Sequence, residues 1–271
     1  MKKAFLILSL IMLFSTTIVL QCFADIDSTE NNAILIKLIR KNNIDMVKKY
    51  ISRGTNINVK DDKGWFPLLV AVDTNNYDMV KLLISSGANL NLKTDKVYGK
   101  SGQTDYGTAL MHSVKLDIYE IAKLLVDSGA DVNIQNEDGK TALMIATENG
   151  NDKITKLLID AGTDVNIESL DKMTAVSYAA RYGKNKVLKQ LIAKGADVNH
   201  VHYYGKTALI EAADNGHFDT VKMLVKNSAD INHKNNSGET ALDIVKANKE
   251  QAIKNGKDTK EFDKIIKLLE K

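Results

Sequence analysis

Six asparagines, Asn58, Asn91, Asn133, Asn166, Asn199 and Asn232, recur 33, 42, 33, 33 and 33 residues apart. A fixed period of this length limits the fold more than any composition does. Each copy is one small unit that cannot hide its own apolar face, so neighbours must stack into an array. An array of that kind offers an extended surface for recognition and no obvious pocket for chemistry.

Other positions fall into phase with the asparagines. Four residues upstream stand Gly54, Gly87, Gly129, Gly162, Gly195 and, as the exception, Ser228. Each follows an apolar helical run such as Leu157-Leu158-Ile159, where a left-handed residue ends the helix. Sixteen residues before each asparagine come Asn42, Asn75, Asp117, Gly150, Gly183 and Gly216, all types that tolerate positive φ. Each unit therefore reads as a short helix, a tight turn, a second helix and a loop to the next unit. The second helices carry apolar residues at helical spacing, as in Ile121, Leu124 and Leu125. Thr108, Thr141, Thr174, Thr207 and Thr240 precede the first helices, placed to cap them through their hydroxyls.

These residues carry a resemblance to the ankyrin repeat. The match lies in Asp62-Lys63-Gly64-Trp65-Phe66-Pro67-Leu68, Asp138-Gly139-Lys140-Thr141-Ala142-Leu143, Tyr204-Gly205-Lys206-Thr207-Ala208-Leu209 and Ser237-Gly238-Glu239-Thr240-Ala241-Leu242. Gly129-Ala130-Asp131-Val132-Asn133 and its copy ending at Asn199 add to it. The family places a histidine two residues after the Pro-Leu pair's start, where this chain has Leu69, Met111, Met144, Ser177, Ile210 and Asp243. That loss predicts weaker ties at the helix starts. The resemblance implies an all-α ankyrin-repeat solenoid over about 25–271. Its units are Asn31–Lys60, Asp61–Lys93, Thr94–Gln135, Asn136–Glu168, Ser169–His200, Val201–His233 and Lys234–Lys271, the first and last being caps. The interval of 42 marks nine extra residues between Asn91 and Thr108, read as a finger loop on the binding side.

The chain opens with Lys2 and Lys3, an uncharged run from Ala4 to Leu20, and a small-x-small site at Cys22-Phe23-Ala24. That order is a secretory signal over 1–24, so the protein is expected to be exported, periplasmic or secreted. An uncleaved anchor and lipid attachment at Cys22 stay open as alternatives. Cys22 is the single cysteine, so an exported chain would be held by packing alone. A net charge of +3, with Arg40, Arg53 and Arg181 the only arginines among 37 basic residues, argues against a nucleic-acid reader.

The resemblance implies a protein partner, gripped by loop tips and helix ends on a concave face. At those positions the aromatic set is Trp65, with Tyr98 and Tyr106 of the insertion, and Tyr182 with Tyr203 and Tyr204; Asp171, Arg181 and Asp214 are expected to tune specificity. Exposed Trp, Tyr and Arg are the usual anchors of interfaces. The competing reading is that each aromatic merely covers the adjacent repeat. Lys48, Lys81, Lys123, Lys156, Lys189 and Lys222 share one position on the second helices. They read either as a track for an anionic surface or, more simply, as charges paired with acids three or four residues upstream, such as Asp152 and Asp219. His200 and His233 stand one repeat apart, too far for joint ligation, so no metal is expected. No nucleophile, base and orienting group converge, and Gly99-Lys100-Ser101-Gly102 lacks the rest of a phosphate loop. The expectation is a non-enzymatic, monomeric adaptor without cofactor that binds a protein partner; an exported effector or neutralising protein acting on a foreign target is the alternative.

Overall fold

In the computed structural model residues 33–94 and 107–270 are described, and they divide between Asn89 and Leu90 into two compact units. Residues 1–24, expected from the sequence to be a secretory signal, and most of the insertion, with Tyr98 and Tyr106, lie outside the described residues. The first unit holds α1 (residues 33–40), α2 (Ile44–Ser52), α3 (Pro67–Asp73) and α4 (Tyr77–Ser85). The second holds α5 (Ala109–Lys115), α6 (Tyr119–Asp127), α7 (Ala142–Asn149), α8 (Asp152–Asp160), α9 (Ala175–Arg181), α10 (Asn185–Ala193), α11 (Ala208–Asp214), α12 (Phe218–Lys226), α13 (Ala241–Lys254) and α14 (Lys260–Leu269). Consecutive helices pair as helix–turn–helix, and no strand occurs among the described residues beyond one isolated antiparallel bridge, Lys93–Thr108.

The turns follow the expectation drawn from residue type. Asn42, Asn75 and Asp117 have φ of 54°, 50° and 59°, and Gly150, Gly183 and Gly216 lie in the same left-handed region. At each, the next N–H reaches back across the turn, as from Asn151 to the Ala146 carbonyl and from Lys184 to Ala179. This is the bond that closes a helix and redirects the chain. Asn43, Asn76 and Asn151 then cap the second helix by accepting from the N–H of Met46, Met79 and Ile154.

Thr108, Thr141, Thr207 and Thr240 accept from the N–H three residues on, as expected of caps. Thr174 does not: its hydroxyl faces that of Ser177 at 3.3 Å. At the place of the family histidine, Asp243 also bonds back to the Thr240 N–H and hydroxyl, closing a capping box. At two of the six places of the family histidine a polar residue thus hydrogen-bonds the threonine at the helix start, Ser177 with Thr174 and Asp243 with Thr240.

Between the terminal units the first helices are buried nearly all round: every residue from Ala175 to Ala180 is in the core. Their alanines let the adjacent helices approach, which is why α9 and α11 are rich in them. Second helices bury one stripe, Val187, Leu188 and Leu191 in α10, and leave lysines outside.

The periodic asparagines are the joints between repeats. The Asn133 Oδ1 accepts from the Asp164 N–H at 2.9 Å, Asn166 from Asp197 at 3.0 Å and Asn199 from Asp230 at 2.8 Å. Asn58 does the same for Asn89 in the first unit. Each acid so held turns its own carboxylate onto the N–H of the next asparagine, as Asp164 does for Asn166 at 2.9 Å. The bonds are solvent-exposed, so Asn166→Ala is expected to lower stability by only about 1 kcal/mol. Urea unfolding followed by circular dichroism would read it; a loss above about 3 kcal/mol would mean the joint carries more than one hydrogen bond.

Candidate functional site

In the second unit the loops between repeats project tips that are stitched into a row. The Leu170 N–H donates to the Asp138 carbonyl at 3.1 Å, and the Tyr203 N–H to the Asp171 carbonyl at 3.0 Å. Asn236 closes the row, its side-chain amide on the Tyr203 carbonyl at 3.1 Å. Gly139 permits this approach: it has φ +72°, and a β-carbon there would stand 2.6 Å from the Leu170 nitrogen. These bonds tie the backbone of each tip to the next.

Those side chains are in water. Leu170 is 71% exposed, Tyr203 68% and Tyr204 61%. Tyr203 and Tyr204 meet edge-on with ring centroids 5.7 Å apart, and Tyr204 meets the His202 ring at 5.9 Å. Tyr182, the C-cap of α9, is also exposed but makes none of these ring contacts. Asp171 is exposed on the same loop as Leu170, whereas Met173, two residues on, is fully buried with Met144 and Tyr178. Trp65 belongs to the first unit and is half-buried, with the Arg40 guanidinium 6.0 Å from its ring and its backbone N–H donating to the Asp61 carboxylate.

Arg181 and Asp214, expected to tune specificity, have their charged groups held inside the chain. Arg181 forms a two-pronged ion pair with Glu211, Nε to Oε2 at 2.9 Å and the second prong at 3.0 Å. Asp214 is taken by Lys206 at 2.6 Å and by the Asn248 amide at 2.8 Å. The repeat pattern explains the first. In neighbouring repeats a lysine pairs with an acid eight residues on, Lys140 with Glu148 and Lys206 with Asp214. The intervening repeat has Met173 and Arg181 at those places, so Arg181 turns to Glu211 of the next repeat.

Glu211 also accepts from His202 Nε2 at 2.8 Å, while His202 Nδ1 accepts the Tyr204 N–H at 3.3 Å. Both His202 and Glu211 are buried. Burial alone would raise the Glu211 pKa. The hydrogen bonds from His202 and Arg181 and the nearby charges of Arg181 and Lys206 more than offset it, lowering it to about 2. His202 thus joins the core of the repeat to the tyrosine-bearing tip. The available signal was a lone acid in the apolar run Ala208-Leu209-Ile210-Glu211-Ala212-Ala213. His200 and His233 bond instead to the Lys172 and Gly205 carbonyls of the preceding loops, at 2.7 and 2.9 Å.

The lysine ladder is paired differently from expectation. Lys123 and Lys156 meet Asp127 and Asp160, four residues downstream, at 2.6 and 2.8 Å. Asp152, the upstream acid, meets Lys186 of α10 at 3.3 Å. Among the described residues no helix is long and apolar enough to cross a membrane, and no group of three or more potential ligands could hold a metal ion.

Stacked helical hairpins joined by side-chain ladders, with exposed loop tips, define a helical repeat scaffold. The family model for ankyrin repeats (3 copies) matches residues 12–94, 95–169 and 162–235, and the chain belongs to the ankyrin-repeat family. Ankyrin repeats generally mediate protein–protein interaction, and the fold is typically non-catalytic. No curated protein shows a significant match to the chain.

Proposed function

We propose that this chain is an exported, monomeric ankyrin-repeat adaptor of seven hairpin units that grips a protein partner through the tip row of its second unit. The observation that carries this reading is the combination at Leu170, Tyr203 and Tyr204: large apolar side chains in water on a backbone already fixed by bonds between tips. Such groups bury much area at low entropic penalty, because little loop freedom remains to be lost on docking. Tyr182 and Asp171 extend the surface. Arg181 and Asp214 act on it from within, by positioning their neighbours. Trp65 has its own place in the first unit, over Arg40. Tyr98 and Tyr106 remain proposed contacts of the insertion.

Affinity capture with the chain from the native envelope fraction, read by mass spectrometry, tests this. Tyr203→Ala combined with Tyr182→Ala is expected to reduce capture about tenfold or more. Both positions are exposed, so stability should shift by no more than about 0.5 kcal/mol. Undiminished capture by a folded double variant rejects the site. The charged start, apolar run and Cys22-Phe23-Ala24 support export with removal of 1–24. Mass measurement of the native protein tests that, since retention or lipidation at Cys22 would each give a different mass. The effector reading needs the same surface and is favoured only if the chain is found outside its own cell.

A further inference from the structure

We propose that the groove between α10 and α12 receives an acidic amphipathic helix from a protein partner, at a site separate from the loop tips. The groove has a volume of ≈ 710 Å³, and its walls include Ile192, Ala193 and Met223 as apolar surface and Lys189, Lys222 and Lys226 as cations. Three ammonium groups face a single carboxylate, Asp219.

The charge arises from a break in the repeat. In α6 and α8 the ladder lysine is neutralised by the acid four residues on, Asp127 for Lys123 and Asp160 for Lys156. The same position holds Ala193 in α10 and Lys226 in α12. Lys189 and Lys222 lose that partner, Lys226 adds a third cation, and among the described residues none of the three forms a salt bridge. The preceding groove is also bridged, by Gln190 to the Asp152 carbonyl at 3.3 Å and by Lys186 to the Asp152 carboxylate. Between α10 and α12 the hydrogen bond from Thr220 to Asn185 at 2.7 Å holds the N-terminal end. Beyond it lie the apolar surface and the lysines.

Charge complementarity selects the occupant. A helix with an apolar face fits a trough between two helices, and carboxylates on its flanks would meet the lysines on the walls. Each wall helix has nine residues, about 13 Å, so roughly two and a half turns of a guest helix can lie along it. A membrane surface fits less well, because anchoring there needs protruding apolar groups, whereas Ile192 and Met223 are only partly exposed.

Fluorescence anisotropy with the full chain tests the proposal. The probe is a labelled peptide of roughly 18 residues, leucines on one helical face and glutamates on its flanks. Expected is binding of this peptide but not of its copy with lysine for glutamate. Ala193→Asp, which recreates the Lys156–Asp160 arrangement at an exposed position, should weaken binding about tenfold, as should Lys226→Asp. Tyr203→Ala should leave it unchanged, which separates this site from the tip row. The proposal is overturned if the acidic peptide does not bind, if acidic and basic peptides bind alike, or if both aspartate variants bind as the parent does. It is equally overturned if only phosphatidylglycerol vesicles bind and Ala193→Asp removes that binding.

Discussion

Replacing Glu211 with alanine is expected to lower the stability of the second unit by about 3–5 kcal/mol, the largest effect of any single polar substitution in it. The carboxylate is the shared partner of Arg181 and His202, and its removal leaves a guanidinium and a buried imidazole without their acceptor. Arg181 keeps about a third of its side chain in water, which places the result toward the lower end of that range. The single tryptophan, Trp65, lies in the first unit, so unfolding in urea should be followed by circular dichroism. A loss below about 1 kcal/mol would show the pairing to be as weak as a surface ion pair.

The same group sets an acid limit. Its folded pKa of about 2 lies below the ordinary glutamate value of 4.5. A depressed carboxylate contributes stability above the unfolded pKa, and that contribution is lost as pH falls through the folded value. The window is therefore pH 4.5 down to about 2, and the amount is about 3 kcal/mol. Glu211→Gln removes the titration. It should be less stable near neutral pH yet lose less of its stability across that window, as read by acid titration of both proteins. Parallel acid profiles would place the depressed group elsewhere.

Gly139→Ala is the second large effect, expected at about 2–4 kcal/mol. Two causes add: positive φ in an L-residue, and a β-carbon 2.6 Å from the Leu170 nitrogen and 3.0 Å from the Ser169 carbonyl carbon. Gly129→Ala separates them. Gly129 has φ +90° with nothing within 4 Å of the added carbon, so only the backbone term of about 1 kcal/mol remains. Because Leu170 is a tip residue, the Gly139 variant should also reduce partner capture, whereas the Gly129 variant should not. Equal stability of the two would mean that the tips are free to part.

What the sequence disclosed and what it withheld follow the range of the interactions. The turn at Gly150 and the joint at Asn133 were legible because they recur in phase, and recurrence reveals a backbone requirement even when its partner is unknown. The ion pairs were not. Helix geometry allows Lys156 to meet an acid four residues upstream or downstream; Asp160 took it while Asp152 turned to α10. The Arg181–Glu211–His202 cluster hides for a different reason: it exists because Met173 and Arg181 depart from the Lys140–Glu148 pattern, and a departure has no period. At the candidate site, residue type picked out Tyr182, Tyr203 and Tyr204, all of which are exposed. The internal engagement of Arg181 and Asp214 needed three dimensions.

The joint at Asn91 spans 40 residues where the others span 31, yet its bond to the Asp131 N–H is an ordinary 2.9 Å. The added chain leaves and returns at one point. Lys93 pairs with Thr108, and the Thr94 N–H meets the Gly107 carbonyl at 2.9 Å. Whatever is spliced between those two clasped ends, the stacking beyond them feels no change of length. The scaffold can therefore vary what it displays at that point while its register stays as it was.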